Sequence, residues 1–352
     1  MDKKAVRADL LMMLTAGIWG FAFAAQRAGM DFVGPFTYNG IRFLLGSAFL
    51  VPFIFFAEQK KRQKQNQNKP CNCKDLRGVA EKRLRSKPLE RGGQCPPHET
   101  KTWIFSSLLL GTCLWAASSL QQLGIFWVNA GESGFITGIY VVLVPIFGIF
   151  LGRKTGVPTW IGAFLALCGI FFITGADSLF FSAGARANLP ENTPVIGYVL
   201  TIIGGIFWTF HVLLVDILVK KTDAVKLACG QFAVCGALAF LFAFTGISAK
   251  IGVNAGAEIG SALFSFDDLM RGAVPILYGG LCSVGIAYTL QVVAQKDAPP
   301  AHASIILSSE SIFAALGGIL LLHEVPAPLA FLGFTLMLLG MIATQWDIIR
   351  GH

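Results

Sequence analysis

The sequence predicts an all-α integral membrane protein whose ten transmembrane helices form two inverted five-helix repeats. Three observations carry this. The residues AVILMFWYC make up 54% of the 352-residue chain and DEKR only 14%, whereas soluble domains carry about 25% charged residues. Runs long enough to cross a bilayer core, which takes about 20 apolar residues per helix, recur ten times. Landmarks of the first half return in the same order in the second. Mean hydropathy is +0.64. This composition excludes an ordinary soluble enzyme, a disordered chain and a disulfide-stapled secreted domain.

The expected spans are 10–27, 35–57, 103–128, 133–151, 157–175, 194–218, 227–248, 271–294, 301–322 and 327–346, separated by polar or Gly/Pro-rich breaks. Span one follows Lys3, Lys4 and Arg7 and ends near Ala22-Phe23-Ala24, flanks that resemble a signal peptide. The many apolar runs after it make it a first membrane span instead. After span two comes a basic segment, 58–101, holding 13 of the 28 Lys and Arg residues. Its composition argues for disorder and for a solvated loop against anionic lipid headgroups. Cys71, Cys73, Cys95 and His98 lie in it, but the C-x-C step departs from zinc-ligand spacing, so no metal site is expected. Span three ends at Leu120-Gln121. Span four carries Gly134, Gly138, Pro145, Gly148 and Gly152 on one face, which suits close packing and a bend at Pro145. Only Gly152–Gly156 divides it from span five. Span eight contains Pro275 and ends at Leu290-Gln291. Span nine has a small-residue stripe of Ser304, Ser308, Ser311, Ala315 and Gly318.

Charge sets the orientation. With the N-terminus in the cytoplasm, 23 of 28 basic residues fall on that side. Without the long loop the count is still 10, including Arg153, Lys154, Lys220, Lys221, Lys226, Lys296 and Arg350, against Arg27, Arg186, Lys250 and Arg271 opposite. Both termini are then cytoplasmic, which requires an even number of spans. A cell membrane (inner or plasma) is the expected location.

The halves echo each other. Gln121 and Gln291 close spans three and eight in the same way. Gly162 and Gly169 recur as Gly333 and Gly340 at nearly the same offset. Trp19 recurs as Trp208 at a larger offset, most of which is the long loop after span two that the second half lacks. The expected units are 1–57 with 102–176, and 194–348. Five helices are an odd number, so the second unit enters the membrane upside down. That plan recurs in secondary transporters, with the substrate site near the midplane.

Trp19-Gly20, Pro35 with Arg42, the run from Gly134-Phe135-Ile136-Thr137-Gly138 to Pro145, Ser309-Glu310-Ser311 and His323-Glu324 together resemble the EamA-type branch of the drug/metabolite transporter superfamily. The resemblance covers nearly the whole chain apart from 58–101. It implies ten helices in two inverted repeats around a central cavity, and export or exchange of small metabolites or drugs. The family often has Pro where this chain has Ser311, which implies a straighter helix nine. It also has an acidic residue where this chain has Arg153.

Glu310 is the sharpest chemical signal. A charge at mid-span costs about 2.5–3.5 kcal/mol on insertion scales, so it faces a cavity or a partner. It suits a substrate cation or a proton, or a structural bond to Arg42 or a hydroxyl. Arg42, about seven residues into span two, suits a substrate carboxylate, an outward snorkel or a buried pair. Trp19 and Trp208 sit mid-span rather than in the interfacial belt, as walls for aromatic or cationic ligands or as core. His211 shares a face with Trp208 and is a candidate proton carrier or a packing residue. Gln121, Gln291, Tyr140 and Tyr288 complete the candidate substrate site. No P-loop, H-E-x-x-H or dinucleotide fingerprint is present, so no cofactor is expected and ATP drive by this chain alone is disfavoured. The basic residues concentrate in one segment rather than over a face, which argues against nucleic acid.

These features predict a secondary carrier rather than an enzyme, with a small-molecule substrate and membrane lipids as partners. Alternating access, with or without proton coupling, is the expected mechanism. The rivals are a non-transporting sensor or scaffold acting through the basic loop, and an integral-membrane enzyme, for which the five scattered histidines are a poor fit.

Overall fold

The computed structural model describes residues 3–67, 97–127, 137–153, 155–173, 195–247, 265–322 and 328–349. Among them every regular element is helical. Lipid offers the backbone no hydrogen bonds, so each segment satisfies its own. The elements are α1 Lys3–Met30, α2 Pro35–Gln67, α3 Pro97–Trp127, α4 Tyr140–Phe150, α5 Val157–Ile173, α6 Val195–Leu218, α7 Ala224–Ala243, α8 Phe266–Arg271 and α9 Ala273–Leu277. There follow a π-helix Tyr278–Tyr288, α10 Thr289–Ala294, α11 Pro300–Leu307, α12 Glu310–Leu322 and α13 Pro328–Ile349. Six stretches are long and apolar enough to cross a membrane: Lys4–Met30, Pro35–Lys61, Lys101–Trp127, Ile196–Leu218, Ala224–Ala243 and Ala273–Ala294. Tyr140–Phe150, Val157–Phe172 and Phe331–Ala343 are shorter apolar helices. Phe53, Phe56, Phe105, Phe164 and Phe331 are each more than half exposed, an outward apolar surface suited to lipid tails.

Expectations that fall on Ser133 to Ile136, Lys154, Arg186, Lys250, His323, Glu324, Arg350 and His352, and on Cys71, Cys73 and Cys95, lie outside the described residues. The basic segment is helical at its start, since α2 runs on to Gln67. There Glu58 meets Lys226 at 2.5 Å and Lys61 meets Asp223 at 3.8 Å. Asp223 also caps α7, accepting from the Val225 and Lys226 amides at 3.2 Å, which fixes where that helix begins.

One expectation is corrected. Ser311 in place of proline does not leave span nine straight. The span divides into α11 and α12 at a turn through Ser308 and Ser309. Both hydroxyls donate back, to the Ile305 and Ile306 carbonyls at 2.7 Å. Three amides switch to i−3 acceptors, Ser309 to Ile306 and Ser311 to Ser308, both at 3.1 Å, and Ile312 to Ser309 at 2.9 Å. Local hydroxyl bonds of this kind compete with the helical ladder. The predicted small-residue stripe is therefore split between two helices, and Glu310 opens the second.

Helix α3 packs on α6 and α7, while the stretch from α9 to α10 packs on α1 and α2; α2 lies on α7 and α5 on α13. The α5–α13 seam is reciprocal. A Cβ on Gly169 would stand 2.8 Å from the Gly333 carbonyl, and one on Gly340 would stand 2.8 Å from that of Gly162. The two backbones thus touch through four glycines that the sequence marks as related pairs. Gly340→Leu is expected to lower the melting temperature in detergent, through an overpacking cost of about 1–3 kcal/mol. Phe164→Leu, on the lipid-facing surface, is expected to leave it unchanged. Equal melting of both variants would contradict the close seam.

Candidate functional site

The site is a cavity between the two halves, with about 540 Å³ of atom-free space counting its mouth. Eight of the nine residues predicted from sequence line it: Trp19, Arg42, Gln121, Tyr140, Trp208, Tyr288, Gln291 and Glu310. They come from α1, α2, α3, α4, α6, the π-helix, α10 and α12, so no element alone makes the site. His211 is absent from the lining. It is fully buried on α6, with its Nε2 2.9 Å from Gln231 Oε1.

An aromatic panel forms one wall. Tyr288 lies 4.4 Å from Trp19 between ring centroids and stacks on Trp208 at 5.9 Å with planes 18° apart. Phe43 touches the back of Tyr288 at 5.9 Å. The indoles are held by their N–H groups: Trp19 donates to the Ser283 carbonyl at 3.2 Å, and Trp208 to Gln121 Oε1 at 3.0 Å. These bonds fix each ring face toward the cavity. Gln121 in turn donates to Thr137 at 3.5 Å.

Two ionisable side chains of opposite type, Arg42 and Glu310, face the same space without pairing. The Arg42 guanidinium lies over the Phe43 and Tyr38 rings, 4.9 and 5.5 Å from their centroids. Arg42 is 2% exposed, its Nε has no hydrogen-bond partner, and it makes no ion pair among the described residues. Glu310 is 9% exposed, and among the described residues neither a side-chain hydrogen bond nor an ion pair holds it. The structural pairing of Arg42 with Glu310 that the sequence left open does not occur. Gly20 places Glu310. A Cβ there would meet the Glu310 carbonyl at 2.7 Å and the Ala314 amide at 2.6 Å, so only glycine lets α1 come this close to the start of α12.

Sequence reasoning missed Gln26, Thr137 and Ser283, which also line the cavity. Gln26 had a signal, since it follows Trp19 by two helical turns on the same face. Thr137 stands nearly one turn before Tyr140 in the same way. Ser283 had none, because it reaches the wall through a π-helix, whose wider turn an α-helical periodicity misplaces.

A second cavity, of about 1000 Å³ with its mouth, is lined by Val144, Pro145, Gly148, Arg153, Asp216, Lys220, Lys296 and Ala301, among others. It lies one helical turn along α4 from Tyr140. Arg153 bonds Asp216, whose side chain is 2% exposed, and Lys220 holds the other carboxylate oxygen at 2.6 Å.

The chain matches the EamA-like transporter family over residues 6–71 and 195–345. An "Uncharacterized transporter" of Archaeoglobus fulgidus is 23% identical over 96% of this chain and 86% of its own length. The "Uncharacterized transporter YoaV" of Bacillus subtilis is 20% identical over 95% of this chain and 94% of its own. One solved structure, described only as the crystal structure of a protein, superimposes with a TM-score of 0.63 over 97% of this chain and 98% of that one, at 14% identity; that likeness speaks to fold alone.

The indole–amide bond predicts a specific reversal. Gln121→Leu leaves the buried Trp208 N–H without an acceptor and is expected to cost about 1–3 kcal/mol of stability. Adding Trp208→Phe is expected to recover most of the loss, because both partners are then apolar. Thermal melting of the single and double variants checks this; losses that simply add would deny the bond.

Proposed function

The chain belongs to the EamA-like transporter family and is a multi-pass membrane transporter; from that premise we propose a secondary carrier that moves a small metabolite or drug-like solute by alternating access. The ten spans form two inverted five-helix repeats, and the cavity between them is the substrate site. The observation that carries this is the convergence of eight mid-membrane polar and aromatic residues from both halves on one cavity. Trp19 and Trp208, at related positions, flank Tyr288 in the aromatic wall.

The packing supports the two-fold plan. Exchanging spans one to five with six to ten turns the α3 contacts on α6 and α7 into the α9–α10 contacts on α1 and α2. It leaves α2 on α7 and α5 on α13 in place. All of these contacts are present, as is the reciprocal glycine seam.

In this reading Arg42 accepts an anionic group of the solute and Glu310 takes its cationic group or a proton. Tyr288 with the two tryptophans holds its body. A solute with both charges satisfies both groups at once. His211 contributes packing in the present conformation. The basic segment and both termini face the cytoplasm of a cell membrane, so the Arg153 cavity is the inner vestibule.

The state is closed on the inner side. Three ion pairs join the halves among the described residues, Lys61–Asp223, Glu58–Lys226 and Arg153–Asp216, and His302 Nε2 meets Asp9 at 2.9 Å beside them. All of these contacts lie at the end that carries the basic loop. Exposed pairs are worth only about 0–1 kcal/mol each, so the buried Asp216 with its two cations is the main latch.

Two tests follow. In proteoliposomes, loaded with amino acids, nucleobases and organic cations in turn, saturable flux of one class is expected; its absence from folded protein would overturn the carrier reading. For the transported class, Glu310→Gln is expected to abolish dependence on an imposed pH gradient, and an unchanged gradient response would remove the proton role. Asp216→Asn is expected to open the inner side. A cysteine at Val212 on the central cavity, in a chain stripped of native thiols, should then react several-fold faster with an impermeant maleimide applied from the basic-loop side. An unchanged rate would show that Asp216 does not hold the gate.

A further inference from the structure

The two halves do not offer the cavity the same residues. The sequence separation of Trp19 from Trp208 is also that of Phe43 from Phe232, whose rings meet at 6.2 Å across α2 and α7. Leu45 and Val234 share that spacing. They fill matching places, against Gly280 and Gly111 respectively. The same spacing sets His211 against Ala22 and Gln231 against Arg42. In the present structure Ala22 and Arg42 line the cavity. Their counterparts do not. His211 and Gln231 are both fully buried and bonded to each other.

That burial is incomplete in its chemistry. Among the described residues His211 Nδ1 and Gln231 Nε2 have no hydrogen-bond partner. A buried polar group left unpaired in this way is destabilising. They are not deep in the protein. His211 lies directly behind the cavity wall, its ring 5.7 Å from Trp208 in an edge-on contact, and Val212 beside it lines the cavity.

In an inverted-repeat carrier, each half in one state takes the conformation of the other half in the opposite state. Resting on the alternating-access reading above, we propose that His211 and Gln231 form the cavity wall of the inward-open state, in the places that Ala22 and Arg42 hold in the present one. Their orphaned nitrogens then serve the solute. In one state the solute meets the Arg42 guanidinium; in the other it meets an uncharged imidazole and amide in its place. The imidazole nitrogen accepts a hydrogen bond and the amide donates one, so the pair suits a solute group that both donates and accepts. The two states thereby differ in the partners they offer.

Accessibility from each side tests this. Single cysteines replace His211, Gln231, Val212 or Ala22 in a chain whose eight native cysteines are changed to alanine. Each is exposed to an impermeant maleimide from either face of sealed vesicles, with and without Asp216→Asn. We expect the cysteines at 211 and 231 to react only from the basic-loop side, several-fold faster with Asp216→Asn. The cysteine at 22 should react from the opposite side. Where one of the two inner variants does not fold, the other reads the same wall. If the cysteine at 212 reacts from the basic-loop side while 211 and 231 stay protected from both sides, the carrier opens inward without exposing the pair, and the inference fails alone. If none of the three reacts from that side, alternating access itself fails and takes the inference with it.

Discussion

A guanidinium and a carboxylate held inside a bilayer without each other are the constraint around which this protein is arranged. Each costs about 2.5–3.5 kcal/mol to bring to mid-membrane, and a direct ion pair would offset part of that. The fold keeps them apart. Arg42 is anchored over the Phe43 and Tyr38 rings, which gives the cation an attractive surface that leaves its hydrogen-bonding edge free. Glu310 is set at the start of α12 by the turn at Ser308–Ser309 and by the contact with Gly20. Both charges therefore remain open to whatever enters the cavity.

Much of this site was legible because the membrane makes polar residues conspicuous. Glu310, Arg42 and the mid-span tryptophans stand out against apolar surroundings, and the cost of placing them there implies a shared cavity. The same logic failed for His211, which is equally conspicuous but finds Gln231 on a neighbouring helix. Periodicity cannot show which polar residues are satisfied across helices. Nor could it show the π-helix Tyr278–Tyr288 that carries Ser283 to the wall, since its wider turn shifts residues off an α-helical face. The break in span nine runs against the straighter helix that Ser311 in place of proline implies, because the Ser308 and Ser309 hydroxyls compete with the helical ladder. Arg153 looked like the loss of a family acid. In the fold it is the partner of Asp216, on a helix of the other half, a pairing that only tertiary structure can show.

The two kinds of contact between the halves differ in strength, and the difference says where motion belongs. The α5–α13 seam is backbone against backbone through glycines. Such an interface is close-packed and cannot slide without losing dispersion contacts all along it. The inner closure is of another kind. Along α4, Tyr140 faces the central cavity while Val144 and Pro145, about one turn on, face the inner one. The partition between them is thin, and it is held shut mainly by ion pairs at the aqueous edge. The exposed charges there exchange one partner for water at little cost, Asp216 being the buried exception, and Pro145 removes a helical hydrogen bond within α4. In the proposed carrier cycle, a seam that resists movement on one side and an electrostatic latch on the other make a lever whose fulcrum is α5 with α13, and inward opening begins with the release of Asp216 and a bend of α4 at the partition.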